Sequence, residues 1–261
     1  MSKIKEHFHE QIEAGQRAAN EKPILFSTSM VQAILEGRKT QTRRVIKPQP
    51  GPELKFFGWQ VPEYTHVAFG NNFRIESKHR NPYGQSGDLL WVRETTIRNN
   101  NSNTYWPVAD GYVKTADYEK TIPSIHMPKA AARIWLQVKD VKVERVNDIS
   151  EKDIIAEGVR IPVNGPNNVV FVLGEENSAI SFLPERKEGE KYTQFQLLKA
   201  FWAELWCKVN SRKSWDANPW VWVVEFEVVS TSGRPEFCSC EMPAKMHGQN
   251  KCWRCKKQLA L

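Results

Sequence analysis

The sequence predicts an α+β domain, and three observations carry that prediction. Arg133 to Val146 is the longest β signal, with Ile134, Leu136 and Val138, then Val141 and Val143, recurring at period two. Tyr192 to Trp206 reads as a helix that puts Phe195, Leu198, Phe201, Trp202 and Leu205 on one face. Trp220 to Val229 is a second run of bulky apolar residues and reads as a closing strand.

The remaining elements follow in chain order. Residues 1–22 are polar and helix-permissive, so a tail or an exposed helix is expected there. Pro23 opens a short apolar strand through Ile24, Leu25 and Phe26. Ser27, Thr28 and Ser29 offer N-caps for a helix carrying Met30, Val31, Ile34 and Leu35, and Gly37 is its expected stop. Residues 53–85 and 98–128 mix aromatics with turn formers and read as irregular insertions, with the Leu89 to Val92 strand between them. Ser150 followed by Asp153 resembles a capping box, and Gly158 is a C-terminal stop for the short helix it opens. Residues 160–190, rich in Pro, Gly, Asn and Glu, read as a further insertion.

Composition narrows the function classes. No apolar run approaches the roughly 18–20 residues of a membrane span, and the charged start lacks the apolar core of a signal peptide. A cytoplasmic protein with no membrane partner is expected. The formal net charge of +7 favours a phosphate-bearing partner such as RNA or a nucleotide.

Chemistry concentrates in Ile34 to Arg44, which sets a helix stop, a lysine, two threonines and three arginines side by side. This Leu-x-Gly-Arg-Lys-Thr-x-Thr stretch resembles the signature of the ASCH domains. Gly87-Asp88-Leu89-Leu90 resembles that family's Gly-Asp-x-Leu strand, Ile149 to Glu157 its later helix, and Trp220 to Phe226 its last strand. The resemblance implies a PUA-like fold, a small mixed β-barrel with flanking helices, here with long insertions. It implies three regions: a tail at 1–22, an ASCH domain at 23–230 and a Cys-rich tail at 231–261. The chain looks most like the larger phage and prophage members.

One small ASCH branch hydrolyses N4-acetylcytidine to cytidine and acetate. Matched residue by residue, its lysine, threonine and glutamate fall on Lys39, Thr42 and Glu157. The resemblance thus implies an amidohydrolase acting on an N4-acylated cytosine nucleoside or a related modified base, with no cofactor for the chemistry. A threonine hydroxyl needs a neighbouring base to attack an amide. Lys39 serves as that base only when burial or a nearby arginine lowers its proton affinity. Glu157 is then the proton shuttle to the leaving amine. Arg38, Thr40, Arg43 and Arg44 are the candidates for holding substrate, with Trp91, Arg93 and Glu94 as weaker ones. Arg93 and Glu94 read equally well as an ordinary strand-end ion pair.

One geometric condition attaches to this reading. On a straight strand, Lys39 and Thr42 point to opposite faces, so the chain has to twist or bulge after Gly37. The competing reading is a non-catalytic binder of RNA or a modified nucleotide. It uses the same basic pocket, with Trp59, Trp91 or Trp106 stacking on bases.

Four of the five cysteines lie near the end, as Cys238-x-Cys240 and Cys252-x-x-Cys255. That spacing predicts a structural zinc site in a small ribbon-like tail, with His247 as a substitute ligand. Cys207, next to Trp206, is expected to be a buried structural thiol.

Overall fold

A computed structural model describes residues 19–60, 65–71, 74–159 and 192–235. These form a mixed α+β architecture of three sheets and a few helices. The central sheet has five strands, β1 (Glu21–Leu25), β2 (Gln41–Val45), β6 (Leu89–Arg93), β10 (Trp135–Arg145) and β11 (Trp220–Ser230). Their order is β1-β6-β10-β11-β2, with β1 and β6 parallel and the other pairs antiparallel. Around it lie α1 (Thr28–Leu35), α2 (Glu151–Ala156), α3 (Gln194–Asn210) and α4 (Arg212–Asp216).

The two long strands foreseen in the sequence are both present and pair with each other. Their alternation places Leu136, Val138, Trp222, Val224 and Phe226 in one core with Ile24, Phe26, Val31 and Ile34. Val221 and Val223, on the opposite face of β11, pack with Ile154 of α2 and with Leu198, Trp202 and Trp206 of α3. The α3 helix begins at a capping box in which the Thr193 side chain accepts from the Gln196 amide. It runs on to Asn210, four residues beyond the expected end.

The expected barrel does not close. β1 and β2 are the two edges of the central sheet and share no ladder. Side chains span the gap instead: Arg44 Nη2 donates to the Leu25 carbonyl, and the Phe26 ring sits beneath Arg44 at 5.1 Å and Lys39 at 5.8 Å.

The two stretches read as irregular insertions are also sheets. Residues 53–85 contain β3 (Lys55–Trp59), β4 (His66–Asn71) and β5 (Arg74–Arg80), a three-stranded antiparallel sheet. Register shifts at Phe56/Gly58 and Phe69/Gly70 break its period-two pattern, and so hide it from a reading by alternation. The Phe69 ring lies 5.2 Å from that of Trp220 and the Trp59 ring 5.9 Å from that of Trp222, both tilted, which docks this sheet on β11. Residues 98–128 contribute to a third sheet, β8-β7-β9, built from β7 (Thr96–Asn99), β8 (Tyr105–Pro107) and β9 (Glu119–Ile122), with turns and loops between the strands.

The first strand starts at Glu21, two residues inside the expected tail. Cys207 is half-buried on α3 rather than fully buried, and partial burial pushes its thiol pKa up. The insertion at 160–190, most of the N-terminal tail, and Cys238, Cys240, His247, Cys252 and Cys255 lie outside the described residues. Among the described residues, no helix is long and apolar enough to cross a membrane.

Candidate functional site

The site begins where α1 ends. Glu36 caps the helix and Gly37 follows at φ +73°, a left-handed conformation that glycine adopts without steric penalty. The chain then folds back over the helix end. The amides of Arg38 and Lys39 both donate to the Ala33 carbonyl, at 2.9 and 3.0 Å. Lys39 forms an isolated antiparallel bridge with Glu157, and the Thr40 amide donates to the Ala156 carbonyl at 2.9 Å. This places the start of β2 against the end of α2.

The second half of the site is built by α2. The Ser150 hydroxyl accepts from the Asp153 amide, as the capping-box pattern predicts, and starts a helix of six residues. Glu157 is its C-cap rather than a residue of the last exposed turn. Gly158 then turns at φ +90°, and a Cβ there would stand only 3.1 Å from Lys39 Cβ and 3.2 Å from Ala33 Cβ. Glycine is required at 158 for both reasons, and its small size lets Lys39 lie beside Glu157.

Lys39 is 1% exposed and Glu157 4%. Lys39 Nζ donates to Glu157 Oε2 at 2.6 Å and to the Glu157 carbonyl at 3.0 Å. The other carboxylate oxygen, Oε1, accepts from Arg43 Nη1 at 3.1 Å. Burial holds Lys39 below the usual lysine range, and the nearby Arg44 and Arg43 charges act in the same direction. The Glu157 carboxylate pulls against that shift without cancelling it.

Arg43 has a dense set of partners. Its Nη1 also donates to Gln41 Oε1 at 2.6 Å, and its Nε donates to Glu144 Oε1 at 2.7 Å. Its Nη2 lies within ion-pair distance of Glu144 Oε1 and 3.5 Å from Asp153 Oδ2. The guanidinium stands 5.9 Å from the Trp202 ring centre. Gln41 Nε2 donates in turn to Asp153 Oδ1 and Glu225 Oε1, each at 3.2 Å. Desolvation raises the Glu144 pKa, while hydrogen bonds from Ser150 and Gln41 hold that of Asp153 down against its own desolvation.

A cleft of about 60 Å³ runs between β2 and the C-terminal half of α3. Thr42, Arg43, Arg44 and Glu157 line it together with Met30, Trp202 and Trp206. Lys39, Gln41 and Arg43 converge on Glu157 and its neighbours at period two, so Thr42 takes the intervening position. Thr42 and Glu157 nevertheless share the cleft, because it lies along the free edge of β2 rather than on either face. The turn after Gly37 serves mainly to seat Lys39 on Glu157. Among the described residues, no hydrogen bond joins Thr42 to either of them.

The other sequence candidates lie elsewhere. Arg38 donates to Glu36 and to the Gly158 carbonyl, which ties the ends of α1 and α2 together, and Thr40 is exposed. Trp91 belongs to a separate apolar cluster with Met127 and Trp135. Arg93 donates to the Ile125 carbonyl and does not pair with Glu94. Glu94 is 1% exposed and is gripped by Arg133 at 2.8 and 3.1 Å, with Asp110 on the far side of the same guanidinium. Of the three tryptophans considered for stacking on bases, Trp59 and Trp91 pack into apolar clusters and Trp106 stacks on Tyr112 at 4.8 Å. Sequence reasoning missed Gln41, Glu144 and Asp153. A buried glutamine and arginine at alternate positions of an edge strand was the available signal. Among the described residues, no group of three or more His, Cys, Asp or Glu is placed to hold a metal ion.

No family model matches the chain, and no curated protein matches it. Among solved structures the chain is similar to the crystal structure of protein EF3133 from Enterococcus faecalis V583, assigned there to the family model DUF984. The identity is 10% and the TM-score 0.33, over 90% of this chain and 95% of that one. A likeness of that size establishes neither a shared fold nor a family.

Proposed function

We propose that the protein is an amidohydrolase that removes a small acyl group from an exocyclic nitrogen, with an N4-acylated cytosine nucleoside as the leading substrate. One observation carries this reading. Thr42 and Glu157, far apart in sequence, line one cleft, and Glu157 is bonded to a fully buried lysine. The lowered proton affinity of Lys39 is what a general base near neutral pH requires. The motif resemblance around Lys39, Thr42 and Glu157 supports the choice of an acylated cytosine. The cleft volume suits an acyl group better than a whole nucleoside, which leaves the base and sugar outside.

In this reading Thr42 Oγ bonds to the acyl carbon, and its proton passes to the Lys39–Glu157 pair. The carbonyl electrons move to oxygen, where the Arg44 charge opposes the developing negative charge. Collapse breaks the C–N bond, and the leaving amine takes the proton back from the pair. Water then cleaves the acyl-threonine ester by the same proton route and releases the carboxylate.

The test is turnover. Wild-type protein incubated with N4-acetylcytidine is expected to release cytidine and acetate. Lys39→Met and Thr42→Ala are expected to lose about 10²–10⁴ in rate. A wild-type protein inert on a panel of acylated cytosine nucleosides would overturn the reading.

A further inference from the structure

The cleft's chemistry is assigned above to Lys39, Thr42 and Glu157, yet the residue with the most polar contacts beside it is Arg43. Arg43 borders the cleft, yet water does not reach its side chain, so its guanidinium is turned into the protein rather than offered to a substrate. Its Nε and Nη1 donors are committed to Glu144, Gln41 and Glu157, its Nη2 makes no hydrogen bond among the described residues and stands at ion-pair distance from Glu144, and its face lies against Trp202.

We infer that Arg43 is a positioning residue that shares the Glu157 carboxylate with Lys39 and so governs how firmly Lys39 holds its proton. The inference rests on the hydrolase reading for its catalytic consequence, but its geometry stands alone. Glu157 has two oxygens and two cations, one on each: Lys39 on Oε2 and Arg43 on Oε1. An arginine does not lose its proton in a protein, so of the two cations only the lysine titrates. Whatever part of the carboxylate charge Arg43 neutralises is unavailable to stabilise ammonium at Lys39. Arg43 also adds direct repulsion, and Arg44 adds more from the side of Phe26.

The anchors set how strongly this acts. Glu144 and Asp153 face Arg43 from β10 and α2, and Gln41 holds it from β2, with Glu225 of β11 behind. Both carboxylates partly offset the arginine charge, and the side chains of Glu144 and Asp153 remain 24% and 29% exposed. Arg43 is thus rigidly placed and only partly neutralised. Leucine or isoleucine, the ordinary occupants of a buried edge-strand position, would leave Glu157 wholly to Lys39.

The experiment follows the titration of Lys39 itself by NMR of ¹³C-labelled lysine side chains, with the signal assigned through Lys39→Met. In Arg43→Gln the Lys39 titration is expected to move up by about one unit relative to wild type, the scale for a charge brought to or removed from such a pair. Arg43→Lys keeps the charge and is expected to stay closer to wild type. Glu144→Gln, which removes an anchor on the half-exposed side, is expected to move Lys39 down, and it decides the matter if Arg43→Gln does not fold. A merely structural arginine would lower stability without moving Lys39. An unmoved Lys39 in Arg43→Gln, or in Glu144→Gln where that variant decides, overturns the inference. Turnover distinguishes the two proposals. A shifting Lys39 in a protein inert on acylated cytosines would sink the hydrolase reading and leave the carboxylate sharing intact. Where turnover is present, the acid limb of its pH profile is expected to move with the measured titration.

Discussion

Two buried glutamates, Glu157 and Glu94, are each held by arginine, and the contrast between them defines the candidate site. Glu94 is gripped at both oxygens by Arg133, whose remaining donors reach exposed Asp110. Glu94 lines no described cleft. Glu157 divides its oxygens between Arg43 and a lysine with a fully buried side chain, and it lines a cleft beside a threonine. A bidentate arginine–carboxylate pair is a closed arrangement that holds structure. The carboxylate shared at Glu157 instead faces a lysine whose burial lowers its proton affinity. The two pairs differ in the burial of the cation: water does not reach the Lys39 side chain, whereas the Arg133 side chain is partly exposed.

The largest effect that tests this contrast is Glu157→Gln. It leaves Lys39 and Arg43 as buried cations without their common counter-charge, and it is expected to cost roughly 3–5 kcal/mol in urea unfolding together with all turnover. Glu94→Gln is expected to cost less, roughly 2 kcal/mol, because the arginine keeps Asp110 and one acceptor on the amide. The Lys39 titration is expected to stay put in that variant. If Glu94→Gln moved Lys39 or abolished turnover, the two regions would not be independent and the contrast would fail.

Thr42→Val is the sharper probe. The Thr42 hydroxyl makes no hydrogen bond among the described residues, so stability is expected to change by less than about 1 kcal/mol while turnover is lost. A stability loss of several kcal/mol would place Thr42 in the structure rather than in the chemistry.

The pH dependence follows from the direction of the Lys39 shift. Folded Lys39 releases its proton below its ordinary value of 10.5, so the unfolded chain binds more protons between those two points. The stability it contributes is present above 10.5 and is lost as the pH falls through the folded value. Unfolding free energy compared between wild type and Lys39→Met is expected to show that rise toward alkaline pH in wild type alone. The smallest effect is reserved for Arg212→Ala, which removes an exposed i,i+4 pair with Asp216 and is expected to change stability by about 0.3–0.5 kcal/mol.

Legibility in the sequence tracked local signals. Alternation identified β10, an apolar run identified β11, and the Ser150–Asp153 spacing identified the cap of α2, because each is decided within a few residues. The β3–β5 sheet was not legible because its bulges shift the alternation that marks a strand. Lys39, Thr42 and Glu157 were singled out by motif. The anchoring of Arg43 was not legible, because nothing local says that Glu144 and Asp153 will close around it. Glu94 was misassigned to its neighbour Arg93, because the true partner, Arg133, lies 39 residues away.

The sequence by itself determined the α+β class, the two long strands, the helix stop at Gly37 and the residue types gathered at the candidate site. Only the tertiary structure decided that β1 and β2 stay apart, that Lys39 loses all contact with water, and that Glu157 is divided between two cations. The reason is physical. Propensity, capping and periodicity act over one or two turns of chain, whereas desolvation and charge sharing depend on which distant groups surround a side chain once the core has formed.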